Sequence, residues 1–314
     1  MIKKIKPKFW DRKISYVAIL LIPLTVIFIF VTFLKKKLSK SRKFKIPIIC
    51  IGNIYLGGTG KTPLSILLAN EISKLNKKPV ILRKYYKNHN DEYNLIKNHF
   101  KSLIVSKNRL VGLNEAEKSG YDFAILDDGL QDYSIKKDLK IVCFNSNQLI
   151  GNGLVLPSGP LRESFSTLID VDIVIINGEK NQEFEKKILN INKEIDIFYS
   201  YYKPLNLDQF KNKKLFAIAG IGNPENFFRL IKKNNLQIYK EKKFPDHYNF
   251  SKTEIQKIID DAEKNNCQII MTEKDYFKMN INEFKKIDYL RVAIEIDNKQ
   301  KLLDKINTYY VKNN

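Results

Sequence analysis

Apolar runs and amphipathic stretches alternate along this chain, and the first run differs from all the others. Residues 14–34 read ISYVAILLIPLTVIFIFVTFL, 21 positions without a charge. A continuous helix of that length measures about 30 Å, the thickness of a bilayer's hydrocarbon core. The run is long for a cleaved leader, and lysines stand where small residues would mark a cleavage site. No polar stripe interrupts it, which argues against a helix buried in a soluble core. The expectation is a membrane anchor helix within a separate segment, residues 1–45, with Pro23 leaving a kinked or shallowly inserted helix open. Lys3, Lys4, Lys6, Lys8, Arg12 and Lys13 precede the run, and Lys35, Lys36, Lys37, Lys40, Arg42, Lys43 and Lys45 follow it. Six against seven is too even a balance to orient it.

Downstream the pattern becomes short apolar runs separated by amphipathic stretches. Strands are expected over 47–51, 79–82, 103–105, 123–126, 141–144 and 173–176, with a helix from 61 to about 75. The alternation lapses into a polar connection over 201–212 and then resumes. Strands follow over 215–219, 238–244 and 269–271, and helices over 224–234 and 252–265. Continuous apolar strands alternating with helices imply an α/β fold with a mainly parallel sheet covered on both faces. The expected division is a larger domain over 46–205 and a smaller α/β domain over 206–314.

Composition narrows the chemistry. Three cysteines, Cys50, Cys143 and Cys267, lie far apart without a C-x-x-C pair, so neither a disulfide framework nor a cysteine zinc site is expected. Only His89, His99 and His247 offer imidazoles. The 55 Lys and Arg against 34 acids give a formal +21, which by itself suits nucleic acid, a membrane surface or anionic substrates. No zinc finger, RNA-recognition signature or basic helix interleaved with aromatics accompanies it, so nucleic acid is not an expected partner. Residues 1–45 hold thirteen of the bases and one of the acids. More than half of the excess therefore brackets the apolar run, where it fits anionic membrane lipid.

Gly57-Gly58-Thr59-Gly60-Lys61-Thr62 follows an expected strand and opens an expected helix, the context a phosphate-binding loop requires. Backbone N–H groups freed by the glycines, together with a helix N-terminus, bind phosphate oxygens. Lys61 would reach the β- and γ-phosphates of ATP and the Thr62 hydroxyl would meet Mg²⁺. Tyr55 occupies the place of the usual first glycine. Residues 123–128 then end a strand in Asp127-Asp128, where open α/β sheets bind ligands and where one carboxylate near Mg²⁺ would complete a P-loop NTPase-like site.

Taken together, several runs resemble the tetraacyldisaccharide 4'-kinase family of lipid A biosynthesis. They are Gly52-Asn53 with GGTGKTP (57–63), DDGLQ (127–131), GNG and LPSGPLRE (151–163), AGIGNPENFF (219–228), FPDHYNFS (244–251) and MTEKD (271–275). The resemblance implies transfer of the ATP γ-phosphoryl group to the 4'-hydroxyl of a tetraacylated glucosamine disaccharide 1-phosphate, giving a lipid IV-A type precursor. It also implies a P-loop kinase domain and a smaller domain closing a cleft, at the cytoplasmic face of the bacterial inner membrane; a monomer is expected. The family's catalytic dyad falls on Asp91, in Asn90-Asp91-Glu92, and on His247. The carboxylate would help deprotonate the sugar hydroxyl, and the imidazole would orient and tune it. Glu163 corresponds to a motif acid expected at Mg²⁺ or its water, alongside Thr62, Asp127 and Asp128. Arg162 is expected at a substrate phosphate or sugar. Arg83 and Tyr85 match the family's substrate-side motif.

Two departures from the family pattern concern substrate contacts. Leu82-Arg83-Lys84-Tyr85-Tyr86 lacks the family's glycines, and Gln131-Asp132 places a carboxylate where the family has an imidazole. Other classes remain as alternatives. One is another membrane-tethered P-loop enzyme, a GTPase or partitioning-type ATPase; a GTPase would carry Asn-Lys-x-Asp, whereas the chain offers Thr272-Glu273-Lys274-Asp275. A non-catalytic scaffold would show neither hydrolysis nor transfer.

Overall fold

The computed structural model describes residues 7–12, 15–87, 89–279 and 286–313. The apolar N-terminal run is two helices, α1 (Tyr16–Leu20) and α2 (Ile22–Leu38), and not the one expected over 14–34; Lys3, Lys4, Lys6, Lys13 and residue 14 lie outside the described residues. Pro23 explains the break. It has no N–H to donate and is tolerated only in a helix's first turn, and it stands in the first turn of α2. At 17 residues α2 is about 25 Å long. Among the described residues no helix is long and apolar enough to cross a membrane.

The chain forms two compact units that interleave in sequence. Among the described residues the larger comprises 7–85, 100–201 and 295–313, and the smaller is built from 86–99 and 202–294. The expected boundaries at 45 and 205 were contiguous. The difference arises because α4 (Asn90–His99) packs with the smaller unit, while the last helix, α10 (Lys299–Asn313), belongs to the larger.

In the larger unit, β1 (Ile48–Gly52), β2 (Pro79–Lys84), β3 (Leu103–Ser106), β4 (Phe123–Asp127), β5 (Leu139–Asn145), β6 (Ile173–Asn177) and β7 (Asp196–Pro204) pair in parallel in the order β7-β6-β5-β1-β4-β2-β3, and β12 (Val292–Ile296) lies beside β7. Three of these central strands, β1, β4 and β6, are buried at every position, as apolar strands covered on both faces must be. From β1 the chain moves outward to β2 and β3, returns to insert β4, and then continues on the other side as β5. The loops leaving β1 and β4 therefore flank the point where the strand order reverses, the place where open α/β sheets carry ligands.

The smaller unit has a four-stranded parallel sheet in the order β11-β10-β8-β9, from β8 (Lys214–Ala219), β9 (Gln237–Lys243), β10 (Gln268–Thr272) and β11 (Ile287–Leu290). Strand periodicity sorts its core into two layers. Leu215, Ala217 and Ala219 face Phe227, Phe228 and Ile231 of α7 (Pro224–Lys233). Phe216 and Ile218 face Ile255, Ile258 and Ile259 of α8 (Lys252–Lys264).

Candidate active site

In the larger unit the loop after β1 turns into α3 (Lys61–Lys74). Gly60 caps this helix at φ 91° and Gly57 sits at φ 146°, both in backbone regions that L side chains avoid. Asn53 holds the loop from below: its Nδ2 donates to Gly57 O and Thr59 Oγ1, each at 3.1 Å. The Tyr55 ring fills the position where a glycine was missed. Tyr55 is 1% exposed; its backbone bridges to Leu161 and its ring packs against Gly57.

The β2–β4–β1 register sets Arg83 and Ile51 on either side of Asp127. Asp127 accepts from Thr62 Oγ1 at 3.1 Å, from Ser65 Oγ at 3.2 Å, and from the Arg83 guanidinium, which also donates to Thr62 at 3.1 Å. Asp128 adopts φ 50°, leaving the strand. Its carboxylate accepts from Arg162 at 2.8 Å and faces Lys61 Nζ at 3.9 Å, while its carbonyl accepts from Arg109 of α5 (Arg109–Lys118) at 2.8 Å. Burial works to raise the Asp128 carboxyl, but Lys61, Arg162 and Arg83 outweigh it and hold the group far below the usual carboxylate range. Burial pulls the Lys61 ammonium down from its ordinary value, with Asp128 opposing.

Glu163 is 6% exposed; Thr167 donates to Oε2 at 3.3 Å, while Oε1 is buried without a hydrogen-bond partner among the described residues. Burial, and then the Glu163 charge, push the neighbouring Tyr133 phenol up. The Thr62 hydroxyl and the Asp127, Asp128 and Glu163 carboxylates, the last with Oε1 buried and unpaired among the described residues, are oxygen donors of the kind a hard cation such as Mg²⁺ takes.

The smaller unit brings together a second cluster. His247 Nδ1 lies 2.9 and 3.2 Å from the two carboxylate oxygens of Asp91. Burial works to raise the Asp91 carboxyl, but the His247 hydrogen bond, Lys274 and Lys278 bring it below its ordinary value. An ionised carboxylate only accepts, so Nδ1 carries the proton of the Asp91 contact, and Nε2 faces Glu92 Oε1 at 3.9 Å and Asp246 Oδ2 at 3.8 Å. Asp91 and Glu92 occupy the first turn of α4, where the helix dipole also favours negative charge. Around the pair, Lys274 Nζ stands 3.6 Å from Asp91, 3.2 Å from Glu92 and 3.0 Å from Asp246. The His89 ring stacks on His247 with centroids 4.2 Å apart, and its Nδ1 lies 3.1 Å from Glu92. His247 itself adopts φ 58°, a left-handed conformation that costs a non-glycine residue about 1 kcal/mol or more and persists where the surrounding contacts hold it.

The model of the tetraacyldisaccharide-1-P 4'-kinase family matches residues 17–310. The chain belongs to the tetraacyldisaccharide 4'-kinase family. It is 41% identical over 313 residues to the tetraacyldisaccharide 4'-kinase of Pelagibacter ubique (strain HTCC1062), covering 98% of this chain and 99% of that one. The enzyme of the same name from Rickettsia canadensis (strain McKiel) is 36% identical over 330 residues, covering 98% of each. Among solved structures, LpxK from Aquifex aeolicus in complex with ATP superposes with a TM-score of 0.70 at 21% identity, covering 94% of this chain and 99% of that one. That likeness bears on the fold, an α/β arrangement with a mainly parallel sheet.

Every candidate residue expected from this family resemblance lies among the described residues. Lys61, Thr62, Asp127, Asp128 and Arg162 share one network, and Asp91 meets His247. Arg83, expected at substrate, is 7% exposed and lies against Asp127 and Thr62. Its place on β2 opposite Asp127 directs it there. Tyr85 stands exposed beyond the end of β2. Asp132, where the family has an imidazole, accepts from Arg109 and from Ser134. Sequence reasoning missed Arg109, Gln131, Glu92, Asp246 and Lys274. Gln131 donates to Asn53 O and accepts from Arg162. All of the missed residues but Arg109 lay within quoted runs, Gln131 in DDGLQ, Lys274 in MTEKD, Asp246 in FPDHYNFS and Glu92 beside Asp91, but nothing in a single sequence separates their roles from those of ordinary surface residues.

Proposed function

We propose that this protein transfers the γ-phosphoryl group of ATP to the 4'-hydroxyl of a tetraacyl glucosamine disaccharide 1-phosphate, giving a lipid IV-A type precursor in lipid A biosynthesis. The observation that carries this is the 2.9 Å contact between Asp91 and His247, residues 156 apart in sequence. A nucleotide-hydrolysing switch positions a water, whereas a kinase must take a proton from a bound hydroxyl. The sugar oxygen forms the new bond to the γ-phosphorus, the bridging bond to ADP breaks, and the hydroxyl proton passes to His247 Nε2. Asp91 is 2% exposed and His247 is half-buried. The imidazole is therefore the member that meets substrate, and the carboxylate fixes its tautomer. This reverses the roles expected from the resemblance alone.

Lys61 and the backbone N–H groups of 57–62 bind the phosphates. Thr62, Asp127, Asp128 and Glu163 would hold Mg²⁺, which when bound neutralises phosphate charge. Arg162 is the candidate for a substrate phosphate or sugar, and Tyr85 for the headgroup. The deciding assay follows labelled phosphate from ATP to the lipid disaccharide in detergent micelles. Native protein should transfer it, and absence of transfer under all conditions would sink the proposal.

The same proposal places the catalytic units at the cytoplasmic face of the bacterial inner membrane, with anionic lipid as a partner. Val26, Ile27, Phe28, Ile29, Phe30, Val31 and Phe33 of α2 are exposed, and Lys35, Lys36 and Lys37 close its last turn. Such a helix lies in the interface with its apolar faces in the acyl boundary and its lysines at anionic headgroups. Flotation with phosphatidylglycerol vesicles should carry the protein up, and deletion of 1–38 should abolish this.

A further inference from the structure

Lys274 has no part in the transfer described above, yet it is the charge on which the smaller unit's acidic groups converge. It is the second residue of α9 (Glu273–Tyr276), and its backbone is fixed from three directions. Thr272 accepts from Asp275 N–H at 3.2 Å and donates to Asp275 Oδ2 at 2.7 Å, and Gly220 N–H donates to the same carboxylate at 2.8 Å. Glu273 meets His99, the last residue of α4, at 2.9 Å. Asp275 and Thr272 thus lock the turn inward while Glu273 and Lys274 hold the two ends of α4. The Lys274 ammonium, 15% exposed at its side chain, reaches Asp91, Glu92 and Asp246 within 3.6 Å.

We propose that Lys274 is a positioning residue of the phosphoryl-transfer site, gathering Asp91, Glu92 and Asp246 so that His247 keeps Nδ1 protonated and Nε2 as the proton acceptor. The proposal rests on the kinase reading above. Its physical basis is charge: three carboxylates converge here, and like charges at such range cannot all stay ionised without a cation. Asp91 is faced by His247 and Asp246 from the segment before α8 and by Lys274 and Lys278 from α9 and just beyond it, while Glu92 follows it on its own helix and His89 stacks on His247. Lys278 is the other cation, but its ammonium is buried without a hydrogen-bond partner among the described residues, so it acts on the cluster through space alone. His89, Glu92 and His247 have donor atoms within 4.8 Å of one another. The ammonium already beside Glu92 supplies the positive charge there, and no metal is assigned to them.

The test uses the full chain with Lys274→Met, Lys274→Gln and Lys274→Arg. Removing the charge should lower kcat about 30- to 100-fold, part of the roughly 10²- to 10⁴-fold that a positioned acid–base group supplies, and leave the KM for ATP unchanged. The acid limb of the kcat–pH profile should move to higher pH, because Asp91 without its cation takes up a proton more readily. The ¹⁵N signals of His247 should change from one tautomer to a mixture, and Lys274→Arg should restore kcat, limb and tautomer. Native kcat and an unmoved acid limb in Lys274→Met overturn the proposal. So does a loss of kcat with limb and tautomer unchanged, the signature of a merely structural lysine. If methionine does not fold, Lys274→Gln, which keeps hydrogen bonding without charge, gives the same readouts. If native protein transfers nothing, the kinase reading fails, while the His247 tautomer still decides what Lys274 holds.

Discussion

The two clusters are opposites in charge. In the larger unit Lys61, Arg83, Arg109 and Arg162 surround the carboxylates of Asp127 and Asp128. In the smaller unit the carboxylates of Asp91, Glu92 and Asp246 surround Lys274, with Lys278 behind. An excess of cations suits a site that must hold a polyphosphate, and an excess of anions suits one that must remove a proton. They also differ in construction. The first is made from loops at the ends of neighbouring parallel strands, where strand register sets the geometry. The second has no such frame: two helix starts and a left-handed histidine supply it, and each must be pinned by side-chain contacts.

The largest expected effects separate the clusters by what they do. Lys61→Ala and Asp91→Ala should each lower transfer by about 10³-fold or more. Only Lys61→Ala should also weaken ATP binding, measured by titration calorimetry. An Asp91→Ala protein with native turnover would remove the proton-transfer role. Next comes the support of the second cluster: Phe228→Ala, at a side chain 1% exposed, should cost about 3–5 kcal/mol in denaturant melts. The loss should appear in probes of the smaller unit before those of the larger.

In helix α2, Thr25 is buried, donating to Ser158 Oγ at 2.8 Å and accepting from Ser158 N–H at 3.1 Å. Thr25→Val should cost about 1–3 kcal/mol by orphaning both groups.

The smallest effects are in pH. Asp91 has a depressed carboxyl, so its contribution to stability is present above its unfolded value of about 3.9 and is lost as pH falls through the depressed folded value. His99 is raised, chiefly by its bond to Glu273, so its contribution is full below about 6.5 and fades as pH rises through the folded value. Thermal melts of Asp91→Asn and His99→Gln across pH should show slopes in these opposite windows.

Central strands and the phosphate loop were legible because buried parallel strands are unbroken apolar runs and glycines mark the loop. Strand β7 was not: only Phe198, Tyr199 and Ser200 are buried among its nine residues, and its polar end read as a connection. Strands β11 and β12 and helix α10 were missed for the same reason, being short or half exposed at the edges. The uncharged run over 14–34 showed its composition but not its break, because one proline decides whether two turns of helix join. Asp91 was found through resemblance, since Asn-Asp-Glu at a helix start is ordinary capping chemistry. Lys274 needed coordinates: what distinguishes it is convergence with groups from two distant segments.

The interleaving of the two units also has a consequence for biosynthesis. Asp91 leaves the ribosome 156 residues before His247, an interval of about 8–30 s at roughly 5–20 residues per second. During that time α4 has been made, but the sheet it packs with has not. The strands around the phosphate loop are complete by residue 145, while α10 of the same unit comes last. A nascent chain therefore acquires its nucleotide cradle early and its proton acceptor late. Cutting at residue 205 would likewise fail to release two intact pieces, because each piece would keep a segment that belongs to the other.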